Sequence, residues 1–152
     1  MTVRTPIDWD ELEAVFDWND PERHAFLDRT TGELLVWSEF DPEEVSDLED
    51  RVDAEPARYA RIEPPGARQE WGWMADFADE VDDPRMQELL WVALRGRGAF
   101  RRFRDVLTSD PALRERWFEW RAERMRQALQ GWLEEEGVVP AVPAPWGLSS
   151  CG

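Results

Sequence analysis

Ahead of four stretches of this chain a residue suited to cap a helix is followed directly by proline: Thr5-Pro6, Asp41-Pro42, Asp83-Pro84 and Asp110-Pro111. Proline at the first helical position gives up no hydrogen bond, because its missing N–H would be unpaired there anyway, and the side chain before it can accept from free amides of the first turn. The four pairs therefore predict four helix starts. Glu44, three residues after Asp41, adds the far half of a capping box to the second of them.

Between these points the apolar pattern supplies the elements. Residues 6–17 set Trp9, Leu12 and Phe16 on one helical face, and Asp20-Pro21 then turns the chain. The segments HAFLD (24–28) and ELLVWS (33–38) flank RTTG, a short Gly-containing connection that reads as a hairpin loop. An acidic helix from residue 42 to about 53 follows, and RYARI (58–62) reads as a third strand before Pro64-Pro65 stops it. From there to residue 137 the pattern is helical. Met74, Phe77, Ala78 and Val81 form one core-facing stripe, and Met86, Leu89, Leu90, Ala93 and Leu94 a second, which Gly96 can end as a left-handed cap. Residues 99–107 place Phe100, Phe103 and Leu107 on one side and Arg101 and Arg102 on the other. A long helix over 111–136 carries Leu113, Trp117, Trp120, Met125, Ala128, Leu129 and Trp132 on a broad arc.

The expected fold class is α+β: a small three-stranded antiparallel sheet, made of a hairpin at about 24–38 and a strand at about 58–62, covered by a C-terminal helical layer. Residues 1–137 are expected to form a single domain. Residues 138–152, Pro-rich and nearly uncharged, are expected to be an extended or disordered tail outside it. A chain of 152 residues can bury one sizeable core, for which ten Trp and seven Phe supply much of the area.

The charge is unevenly placed. Residues 1–94 hold 26 acidic and 8 basic side chains, whereas residues 95–126 hold ten Arg against five acids, within a chain of net charge −16. Such a balance argues against general nucleic-acid binding, which needs a basic surface. No stretch approaches the ~20 apolar residues of a membrane span. The one cysteine, Cys151, precludes a disulfide framework, so the expected location is the cytoplasm.

At GRGAFRRFRD (96–105), WFEWR (117–121) and WLEEEGV (132–138), together with FLDRTTGELL (26–35), the chain resembles the bacterial Uncharacterised Protein Family 0158 over about residues 24–138. The resemblance implies no activity, cofactor or catalytic residue.

The strongest candidate for a site is the run RGRGAFRRFR (95–104), where a glycine-rich link delivers the chain into a new helix start. Free amides about Gly98, with Arg95, Arg97, Arg101 and Arg102, can give charge-assisted hydrogen bonds to a phosphate or carboxylate. The run matches neither the phosphate loop nor the dinucleotide fingerprint. The bland alternative is that these arginines pair with the chain's own acidic half and the glycines only make a tight turn. Arg121 falls inside the apolar arc of the long helix, so it either pairs with a carboxylate of another element or points into a pocket. Trp71, Trp73, Trp91 and Trp146 lie off the main stripes and are candidates for exposed aromatic contacts. His24 is the only histidine, no nucleophile-elbow context is present, and neither zinc nor calcium ligand spacing occurs.

These features favour a non-catalytic interaction or regulatory module without cofactor or metal. Its expected partner is another protein met through the Arg-rich turn or the acidic face, or a small anionic ligand. An acidic nucleic-acid mimic that occupies a DNA-binding protein, and an enzyme acting on a phosphorylated or carboxylated substrate, are the alternatives.

Overall fold

The computed structural model describes residues 4–17, 22–38, 40 and 42–145. In chain order the elements are β1 (Arg4–Thr5), α1 (Trp9–Asp17), β2 (Arg23–Asp28), β3 (Leu34–Ser38), α2 (Pro42–Ala54), β4 (Tyr59–Arg61), α3 (Ala67–Glu80), α4 (Pro84–Ala93), α5 (Ala99–Leu107), α6 (Pro111–Glu135) and β5 (Val139–Pro140). The class is α+β, with one three-stranded antiparallel sheet in the order β3-β2-β4. The packing groups the residues into two compact units: one takes the residues up to Pro64 together with those from Ala128, the other is Pro65–Gln127.

The first unit is built around the hairpin. Phe26 pairs with Leu35 and His24 with Trp37, so the alternation of β2 and β3 sends Leu35, Trp37 and Phe26 to one face, where Tyr59 joins them. Val45, Leu48 and Val52 of α2 pack on that face. Phe26 and Trp37 stack with ring centroids 5.4 Å apart, and His24 stacks on Trp37 at 5.5 Å. Elsewhere in the unit Leu12 and Phe16 of α1 are buried, the Phe16 ring lies 6.4 Å from that of Trp132, and the Trp132 indole donates to the Arg61 carbonyl at 2.9 Å.

The hairpin loop is held by Asp28, whose side chain is fully buried. Its carboxylate accepts from the Thr30 and Thr31 amides at 2.8 and 3.2 Å, and from Nε and Nη2 of Arg58 at distances of 2.8 to 3.1 Å. Burial alone would raise its pKa, but the Arg58 guanidinium and the two amides outweigh that and hold it at about 2. Arg58 in turn keeps its proton more firmly than a free guanidinium. One residue on, Arg29 donates to the Glu136 carbonyl and, at 2.9 Å, to the Glu136 carboxylate, while its own carbonyl accepts from the Thr5 hydroxyl at 2.6 Å. Gly32 closes the loop with φ +78°, and a Cβ there would stand 1.7 Å from the Pro6 carbonyl oxygen. The segment DRTTG, part of the family resemblance, is thus the joint that ties β1, β4 and the end of α6 together.

Two expectations are corrected here. Thr5-Pro6 does not start a helix: Thr5 lies in β1, and Asp8 caps α1 by accepting from the Glu11 amide at 3.2 Å. Residues 138–145 of the expected tail do not leave the fold. Arg4 and Thr5 pair in parallel with Val139 and Pro140, the Ala141 amide donates to the Thr5 carbonyl at 2.8 Å, and Val138 and Ala144 are buried. The proposed capping box of Asp41 and Glu44, the Asp20-Pro21 turn and Trp146 lie outside the described residues or side chains.

The second unit contains α3, α4, α5 and the first part of α6. Asp83 caps α4, accepting from the Arg85 amide at 3.0 Å with Pro84 at the first helical position, and Asp110 accepts from the Leu113 amide at 3.2 Å ahead of α6. Its core is aromatic: Phe77 of α3 meets Phe103 of α5 and Trp117 of α6 edge-on at 6.4 and 5.4 Å, and Phe103 meets Trp117 at 5.0 Å. Met74, Ala78, Val81, Leu90, Ala93, Leu94, Leu107 and Leu113 close around them, as the helical stripes require.

Candidate functional site

The arginine run occupies the turn between α4 and α5 in the second unit. The turn needs two left-handed residues, and glycine supplies them without a Cβ penalty: Gly96 has φ +76° and Gly98, which caps α5, has φ +73°. α5 then buries Ala99, Phe103 and Leu107, so its remaining faces must carry the arginines outward.

Arg95, Arg97, Arg101 and Arg102 are all exposed. Arg102 donates through Nη2 to the Arg95 carbonyl, stapling the first turn of α5 back onto the link. Among the described residues Arg101 approaches only Asp105, one turn along its own helix, at 3.9 Å, with the two side chains 87% and 68% exposed. A pair so exposed is worth little. Among the described residues no carboxylate engages Arg95 or Arg97.

Arg121 is placed differently. It sits on α6, half-buried, and its Nε donates to Oε1 of Glu70 on α3 at 3.1 Å, with Nη2 directed to the same oxygen. Its guanidinium is therefore taken up by a structural ion pair inside the second unit, whereas the turn presents its own to solvent. The off-stripe tryptophans also divide: Trp73 is buried, Trp91 half-buried, and Trp71 is 38% exposed.

The division into units sharpens the charge pattern beyond what sequence windows convey. Residues 65–127 carry twelve Arg and twelve acidic side chains and are neutral, so the whole net charge of −16 belongs to the other unit. Sequence reading missed this because the neutral unit begins inside the acidic window. It also passed over Asp28, although Asp followed by Thr-Thr-Gly is the composition of a side-chain-capped turn.

A shallow, open depression in the first unit is lined, among others, by Pro6, Asp8, Gly32, Glu33 and Val142. Its carboxylates have work already: Asp8 caps α1 and Glu33 pairs with Arg51 at 3.2 Å. Among the described residues no three His, Cys, Asp or Glu side chains gather to hold a metal ion, and no helix is long and apolar enough to cross a membrane.

Comparison with known proteins agrees with this picture of structure without an assigned chemistry. A Pseudomonas aeruginosa protein, UPF0158 protein PA5073, is 33% identical over 135 residues, which cover 89% of this chain and 86% of that one. No solved structure matches the chain. The sequence model of an uncharacterised protein family matches residues 5–149, and the chain belongs to that family, UPF0158.

Proposed function

We propose that the chain is a non-catalytic interaction or regulatory module of the bacterial cytoplasm whose Arg-rich turn receives an anionic group of another protein. The observation that supports this reading is the state of the turn. Arg95 and Arg97 stand in a turn whose two glycines take left-handed φ, Arg101 follows on α5, and among the described residues the one carboxylate that any of them approaches is exposed Asp105, one turn along from Arg101. Clustered, exposed guanidinium groups recognise carboxylates and phosphates by paired hydrogen bonds.

The test is recovery of the tagged protein from native cells, with an Arg97→Ala, Arg101→Ala variant alongside. A specific protein retained by the wild type and lost from the variant, at unchanged thermal stability, is the expected result. Retention by both, or a small metabolite as the sole bound species, refutes it.

Confinement of the full −16 to one unit favours a second reading, in which that unit mimics nucleic acid and occupies a DNA-binding protein. Displacement of a retained protein by duplex DNA, with the arginine variant behaving as wild type, would select this reading over the first.

A further inference from the structure

Leu89 was expected in the core, yet it is 42% exposed, and Val92, one turn on, is 51% exposed. The helical repeat explains the difference. Leu90 and Ala93 take the buried side of α4, and at about 100° per residue Arg85, Leu89 and Val92 fall together on the exposed arc beside it, about a quarter-turn round the helix, with Glu88 and half-buried Trp91 farther on. That arc is ordinarily polar; here three of its five side chains are apolar.

Trp71 of α3 extends the same surface. Its ring meets Trp91 edge-on at 6.4 Å, and its Nε1 donates to the Leu94 carbonyl at 3.0 Å. The bond fixes Trp71 at the residue immediately before Arg95, so the apolar strip runs without interruption into the arginine turn. Between residues 85 and 104 six arginines accompany a single acid, Glu88. Single exposed apolar residues carry no message, but a contiguous strip that includes tryptophan and is rimmed by arginine has the composition of an interface centre.

We propose that Trp71, Leu89, Trp91 and Val92 form a docking strip for an acidic segment of a different protein. Its apolar side chains lie on the strip and its carboxylates meet Arg85, Arg95 and Arg97. The proposal rests on the reading above and adds the partner's chemistry: acidic and apolar together, not phosphate or carboxylate alone. Charge complementarity selects this occupant. A second copy meeting the strip through its own would set one arginine-rimmed surface against another, whereas a locally acidic segment meets a surface where arginine outnumbers acid.

The experiment is selection of a random phage-displayed peptide library on the immobilised full chain, followed by fluorescence anisotropy of the selected peptide made synthetically. Peptides combining Leu, Phe or Trp with Asp or Glu are expected. Val92→Asp with Leu89→Asp should weaken the selected peptide by at least ~10-fold, and Arg95→Ala with Arg97→Ala should weaken it and flatten its salt dependence. Absence of such peptides, or binding that survives the Val92 and Leu89 changes, overturns the proposal. Loss of the native partner on changing Arg97 and Arg101, with full retention on changing Val92 and Leu89, would sink the strip and leave the arginine reading standing. Sedimentation that finds a wild-type dimer dissociated by Val92→Asp would assign the strip to a second copy and likewise overturn it.

Discussion

Replacing Asp28 with Asn removes one negative charge from a fully buried position and leaves the side chain's size nearly unchanged. In the native protein that carboxylate is held at about pKa 2 against an ordinary value near 3.8, because Arg58 and the Thr30 and Thr31 amides outweigh the cost of burial. The gap corresponds to about 2 kcal/mol of folding stability that is present wherever the unfolded carboxyl is ionised. The sign follows from the lowered value: the contribution is complete above about pH 5 and is lost as pH falls through the range from about 4 to about 2. Asn can still accept from the two amides through its carbonyl oxygen, but its NH2 group faces the Arg58 guanidinium as a second donor. Because Arg58 is one-third exposed, water can solvate much of what is left behind, and the loss should stay near 2 kcal/mol instead of reaching the 3–5 kcal/mol of a sealed pair. Urea unfolding of wild type and Asp28→Asn, followed by circular dichroism at several pH values, measures the difference directly, since titration of the remaining acids is common to both. The expected difference is about 2 kcal/mol at about pH 7, shrinking toward zero near pH ~2. A difference that stays constant across that range would show that the charge of Asp28 contributes nothing and that the argument from Arg58 is mistaken.

Two further changes probe the same architecture. Gly32→Ala combines a positive φ with a Cβ 1.7 Å from the Pro6 carbonyl oxygen, so β1 must move; a thermal midpoint lowered by several degrees is expected, corresponding to at least ~2 kcal/mol, and an unchanged midpoint refutes the close approach. Asp83→Ala deletes the cap of α4 and should cost about 1 kcal/mol in urea unfolding, with Asp83→Ser recovering most of it.

The parts of this fold that were legible in the sequence are those whose causes are local. The hairpin follows from alternation on either side of RTTG, and the starts of α4 and α6 follow from Asp83-Pro84 and Asp110-Pro111, because a cap and its amides lie within three residues of each other. The same signature misled at Thr5-Pro6, whose hydroxyl finds the Arg29 carbonyl 24 residues away instead of a neighbouring amide. The pairing of β1 with β5 has no periodicity to read, being two residues long, and Pro140 is tolerated because no inward donor is demanded of an edge strand. Leu89 was assigned to the core because it fits the spacing of α4 as well as Leu90 does; which of the two turns inward is decided by α3 and α5. Arg121 announced by its place on α6 that it needed a partner, but Glu70 lies 51 residues earlier, and no local rule connects them. The glycines and arginines of the turn were legible as a group, whereas the exposure of Arg95, Arg97 and Arg101 was not.

The first unit is closed by residues from opposite ends of the sequence: β1 lies beside β5, and Arg29 reaches Glu136. A growing chain therefore releases its first 64 residues well before the strand and carboxylate that complete them exist, while residues 65–127 carry every helix of their own core. Synthesis thus imposes a sequence of events on assembly, with the central segment able to consolidate first and the acidic sheet region waiting for Glu136 and β5. Removing either β1 or β5 would leave the other strand without its partner, so the two deletions should produce the same defect.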